Sequence, residues 1–145
     1  MRLEGLPPPP QPAGAYRPLV IVGDMAFLSG FGPRGPDGKP LTGMVGRDLD
    51  LAAAQSAARN IGLSILSVLQ ETLGDLDRVR QVVRLTGMVW CVPDFTQHPQ
   101  VIDGCSKLLL EVLGERGAHA RMAYGVASLP NGSPVAIDAV VWVRG

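Results

Sequence analysis

Two apolar runs, Leu-Val-Ile-Val and Met-Ala-Phe-Leu-Ser, flank the pair Gly23-Asp24 within residues 19–29. Short β-prone runs around a Gly-Asp pair predict a β-hairpin. Residues 30–46 hold six glycines and three prolines, too many breakers for regular structure, so a long loop is expected there. Asp48 and Asp50 are N-cap candidates for a helix that runs to about Leu73 and closes at Gly74. Along it Ala54, Ala58, Ile61, Ile65, Val68 and Thr72 recur at three- and four-residue steps, a stripe suited to lying on a sheet.

Residues 79–92 are β-rich, and strict alternation puts Val79, Val83, Leu85, Gly87, Val89 and Cys91 on one face. Arg80, Val82, Arg84, Thr86, Met88 and Trp90 then share the other, so both faces need cover. A second helix is expected from Pro99 or Gln100 to Gly114, burying Val101, Leu108, Leu109 and Val112. Two further strands, residues 122–129 and Val135–Val143, are joined by Pro130-Asn131-Gly132-Ser133-Pro134. The order β-β-α-β-α-β-β predicts an α+β domain, a mixed sheet with two helices on one face. It occupies residues 16–145, behind an extended, proline-rich N-terminal arm at 1–15. One such domain has no third layer for the bare sheet face, and a ring of identical subunits would supply it.

Composition sharpens that expectation. The chain is 46% apolar and 18% charged with no net charge, little polar cover for a lone small domain. Thirteen basic against thirteen acidic residues, with no Lys/Arg-rich run, argue against a nucleic-acid partner or an anionic membrane surface. The first residues lack the apolar core of a signal peptide, and no apolar run approaches the ~18 residues of a membrane span, so a soluble, cytoplasmic protein is expected. Cys91 and Cys105 form no CxxC, and His98 and His119 have no ligand spacing with them. The thiols therefore read as reduced and structural, with no metal site.

Strong catalytic signatures such as GxSxG, HExxH or GxGxxG are absent. The stretch from His119 to Pro130 stands out because Arg121 sits at the mouth of an apolar strand, where a guanidinium can fork a carboxylate. Taken alone, Arg121 reads as solvated or ion-paired, Tyr16 as a half-buried aromatic, Ser29-Gly30 as a strand end and His119 as a surface residue. Met88 and Trp90 read as subunit-interface residues.

The order and spacing of Pro12-Ala13-Gly14-Ala15-Tyr16, Leu28-Ser29-Gly30, Ala120-Arg121, Leu129-Pro130 and Ile137-Asp138-Ala139 resemble the YjgF/RidA family, over roughly residues 12–143. The resemblance implies a chorismate-mutase-like fold, a homotrimer with sites in the clefts between subunits, and no cofactor. In its best-understood branch it implies hydrolysis of 2-imino and 2-enamino acids to 2-oxo acids and ammonia. Arg121 matches the carboxylate-binding arginine of that branch. Tyr16, Ser29 and Gly30 match cleft-lining positions, and Asp103 aligns loosely with the polar residue offered by the second helix. The branch's cysteine and glutamate correspond to Ala123 and Ala136 here. Asp138, two residues beyond Ala136 on the same strand face, is the remaining candidate for handling protons. The alternative is a trimer that binds a small 2-oxo acid without turnover; a ribonuclease is the weakest reading, since the chain has no basic stripe and few aromatics.

Overall fold

Gly23 holds the left-handed backbone, φ 62°, around which the first hairpin turns. It joins β1 (Leu19–Val22) to β2 (Met25–Phe31), so the strand takes in Gly30 and Phe31, the start of the expected loop. The computed structural model describes residues 1–145. The loop that follows is irregular apart from isolated bridges, Arg34 to Pro40 and Val45 to both Leu49 and Cys91.

Helix α1 (Leu51–Leu73) starts where the Asp50 carboxylate accepts the Ala53 N–H at 2.9 Å. Gly74 closes it, with φ 84° and its N–H donated to Gln70 O. Ala54, Ala58, Ile61, Ile65 and Val68 are buried as expected, but Thr72 is exposed. The buried side rotates along the last turns to Leu66, Leu69 and Leu73.

Strand β3 (Val79–Trp90) breaks the expected alternation. Its register against β5 (Val135–Val143) shifts between Val79 and Gln81 and again between Val82 and Arg84. Each extra residue reverses the parity downstream. Val82 is therefore buried beside Val79 and Leu85 on the helix side, and Val83 is the residue left exposed, the reverse of simple alternation.

Helix α2 (His98–Leu113) starts slightly earlier than expected, with Pro99 in its first turn, where a missing N–H goes unnoticed. Strand β4 is Ala120–Val126, shifted toward the N-terminus from the expected 122–129. Asn131, at φ 60°, turns the chain back toward β5.

The sheet order is β1-β2-β5-β3-β4, with β3 and β4 parallel and the other neighbours antiparallel. Both helices lie on one face, giving the α+β architecture read from the sequence. Glycines set their closeness. A Cβ on Gly104 would lie 2.1 Å from the Gln55 carbonyl oxygen, and one on Gly87 would lie 2.5 Å from the Ile102 side chain, which sits directly on β3. The opposite sheet face carries no helix, and Phe27, Met122, Tyr124 and Trp142 stand exposed on it.

The N-terminal arm is irregular but not loose. Leu3 and Gln70 exchange two hydrogen bonds, 2.7 and 2.9 Å, and Ser67 Oγ donates to Pro7 O, tying the arm along α1. No helix is long and apolar enough to cross a membrane.

Candidate functional site

The register of the sheet decides where each candidate side chain can act. Leu85 stands in one row with Ala139 and Arg121, so Arg121 leaves the edge strand on the helix side. There its Nη1 donates to Asp103 Oδ1 at 2.7 Å and to Ser106 Oγ at 3.1 Å, both on α2. His119 extends the chain of bonds, with Nδ1 2.6 Å from Gly117 O and Nε2 2.8 Å from Ser106 Oγ.

Directions in this network follow from what each group can do. A carbonyl only accepts, so Nδ1 carries a proton; with His119 neutral, Nε2 accepts the Ser106 hydroxyl proton, and Ser106 Oγ accepts from Arg121. All of Arg121's bonds engage Nη1, leaving the Nη2–Nε edge of the guanidinium uncommitted. The Arg121–Asp103 pair keeps 24% and 35% of its side-chain surface, so it remains reachable from outside. Beneath it, burial pushes the Cys105 thiol up to about 12 despite the opposing pull of Arg121.

Tyr16 and Gly30 meet elsewhere. They line a groove of about 510 Å³ at the end of β2, together with Arg34, Met88, Leu129 and Ala136. Arg34 is held by its backbone N–H to Asn60 Oδ1 at 2.8 Å and by Nη2 to Pro8 O at 2.8 Å. Arg34 was not among the candidates expected from sequence; its signal is a cation three residues beyond β2 in the breaker-rich segment. Ser29 lies outside the groove lining, its Oγ donating to Arg17 O at 2.6 Å and its N–H to Pro18 O, which holds the arm's end to β2.

Asp138 stands in one row with Thr86 and Met122, one step out of phase with Arg121. The two therefore occupy opposite faces of the sheet and do not meet within one subunit. Ala123 shares the row of Gly87 and Ile137 while Ala136 shares that of Met88 and Tyr124, so the two alanines also lie on opposite faces. The groove's titratable lining is Tyr16 and Arg34, with no carboxylate. No three His, Cys, Asp or Glu side chains converge as metal ligands would. On its own the groove can hold and orient an anion; it has no evident acid–base group beyond a phenol.

Residues 4–140 match the sequence profile of a family described as "YjgF/chorismate mutase-like, putative endoribonuclease". The chain is 43% identical over 137 residues to Protein TCP17 of Trypanosoma cruzi, covering 94% of this chain and 86% of that protein. Among solved structures it is similar to protein Atu1372 of Agrobacterium tumefaciens, at 45% identity and a TM-score of 0.88, over 92% of this chain and 86% of the other. A protein of Shewanella oneidensis named "a putative endoribonuclease" superposes with a TM-score of 0.90 at 32% identity, with 95% of this chain and 91% of that one covered.

Proposed function

From the premise that this chain belongs to the YjgF/chorismate-mutase-like family, we propose that it takes up a small carboxylate-bearing 2-imino or 2-enamino acid. It hydrolyses that compound to the 2-oxo acid and ammonia in clefts completed between the subunits of a homotrimer. The observation that carries this reading is the groove at the end of β2, where one arginine, one phenol and the glycine backbone face a wall that is largely apolar but includes Gln11, Asn131 and Ser133. Arg121 supports the trimer. It is a half-committed guanidinium on the edge strand, on the other sheet face from Ala136, and it reaches such a groove only if that groove belongs to a neighbouring copy.

The chemistry asks little of the protein. A guanidinium edge holds the carboxylate through two parallel hydrogen bonds, which fixes the plane of the C=N group. Water adds to the carbon of the protonated imine, the nitrogen takes up a proton, and the C–N bond breaks to leave the 2-oxo acid and ammonia. Because the protonated imine is already electrophilic, positioning supplies much of the rate, and the Tyr16 hydroxyl or an ordered water can relay protons.

A second reading, binding of a 2-oxo acid without turnover, is favoured by the absence of any carboxylate in the groove lining. Ribonuclease activity, carried in the family description and in the name of the Shewanella protein, finds less support in a neutral chain whose groove holds a single cation.

One assay separates the readings. With 2-iminopropionate generated in situ by an amino-acid oxidase, the wild type should hasten its decay, and Arg34→Ala or Arg121→Ala should each slow the reaction roughly tenfold or more, the worth of a charged hydrogen bond. If decay matches buffer while pyruvate raises the Tm of the wild type and not of Arg34→Ala, the protein is a binder. Neither effect with any small carboxylate would overturn both readings.

A further inference from the structure

Sequence spacing gave Cys91 and His98 no relation, yet the fold joins them. Cys91 directly follows β3, His98 opens α2, and Cys91 Sγ lies 3.4 Å from His98 Nε2. Both are half-buried in a hollow of about 430 Å³ whose other walls are apolar, chiefly Val92, Pro93, Phe95 and Val126. The Phe95 ring meets the imidazole edge-on, with centroids 5.4 Å apart, and fixes its orientation.

Gly125 on the neighbouring strand β4 makes the arrangement possible. A Cβ there would lie 2.7 Å from His98 Nε2 and 3.0 Å from Cys91 Sγ. The only side-chain-free residue of the lining thus lets β4 pack closely against the sulfur and the nitrogen, so that both atoms face the same hollow.

We propose that Cys91 and His98 form a nucleophile and general-base pair that captures small apolar α,β-unsaturated carbonyl compounds in this hollow. The site is separate from the groove at Tyr16 and Arg34 and does not depend on the function proposed for it. His98 Nε2 takes the thiol proton as sulfur forms a bond to the β-carbon of the conjugated system. The C=C π pair moves toward the carbonyl, and the imidazolium returns its proton to the α-carbon. The product is a thioether, and the step needs no oxidant, reductant or further reactant.

Desolvation holds the Cys91 thiol above its ordinary range, so the resting sulfur is protonated. His98 therefore acts during the attack and does not maintain a standing thiolate. Cys91 and His98 are the only titratable residues lining the hollow, so a pH profile reports on this pair. Cys105, wholly buried, provides an internal control in the same chain.

The test uses the intact native protein with N-phenylmaleimide as the apolar probe and acrylamide as the polar one, each rate divided by that of free N-acetylcysteine. Peptide mapping should find the adduct on Cys91 and none on Cys105. The normalised rate should favour N-phenylmaleimide by about tenfold or more, and His98→Gln should lose roughly tenfold and restore the pH profile of a simple thiol. Gly125→Ala, whose methyl would push the imidazole and the sulfur out of place, should slow the reaction as well, and it serves if His98→Gln proves unstable. An unmodified Cys91, equal normalised rates for the two probes, or variants that react like the wild type would each overturn the proposal.

Discussion

At the scale of single residues, a side chain's partners decide what it can do, and Asp48 and Asp50 show this within one turn of chain. Both carry the N-cap signature, but Asp50 caps α1 while Asp48 accepts the Met44 N–H at 2.8 Å and the Arg47 guanidinium, folding the loop under itself. Arg47 in turn lies over the Trp90 ring, 5.7 Å from its centroid. The Arg47 guanidinium, aided by the Met44 N–H, holds the Asp48 carboxyl below the usual carboxylate range. A depressed carboxylate stabilises the fold fully above its unfolded value, about pH 4, and loses that contribution as pH falls through the folded value. Asp48→Asn should therefore unfold at lower urea than the wild type near pH 6, with the gap closing below about pH 4. A gap undiminished at strongly acid pH would show that Asp48 acts through something other than its charge. Arg121 was legible as a site candidate from sequence, but its commitment to Asp103 and Ser106 was not, because those partners lie 18 and 15 positions away and meet it only through packing of α2 on the sheet.

At the scale of elements, periodicity revealed the number, order and type of strands and helices, and the caps Asp50 and Gly74 fixed α1 almost to the residue. It failed at β3, where the irregular register moves Val82 to the helix side and exposes Val83. No local residue pattern marks such a shift, since it is imposed by the partner strand. The rotation of α1's buried side away from Thr72 escaped for a similar reason. Helix spacing, by contrast, rests on a close glycine contact. Gly104→Ala places a methyl 2.1 Å from the Gln55 carbonyl oxygen, which is backbone and cannot step aside. Overpacking of this kind costs about 1–3 kcal/mol, against which alanine's better helix propensity returns about 1 kcal/mol, so a Tm several degrees lower is expected in calorimetry. An unchanged Tm would mean that α1 and α2 separate without penalty.

At the scale of the whole molecule, the helix-free sheet face is the dominant unsatisfied surface. Phe27, Met122, Tyr124 and Trp142 are 47%, 50%, 41% and 38% exposed there. Removing such side chains from water is worth about 25 cal/mol per Å² of apolar area, so self-association has a ready driving force. By sedimentation at micromolar concentration the wild type should run as three chains, and Met122→Lys combined with Phe27→Lys as one. A wild type that runs as a single chain would remove the inter-subunit cleft from the functional proposal.

The order of strands carries one more consequence, for the way the chain is made. Strand β5 is the last in sequence, yet it sits in the middle of the sheet, between β2 and β3. During synthesis the hairpin, both helices and the β3–β4 pair can leave the ribosome while the sheet still lacks its centre, and the apolar edges of β2 and β3 stay open until residues 135–143 emerge. A nascent chain stalled short of Val135 should be readily cut by protease, and release of the last nine-residue strand should close the whole sheet in a single step.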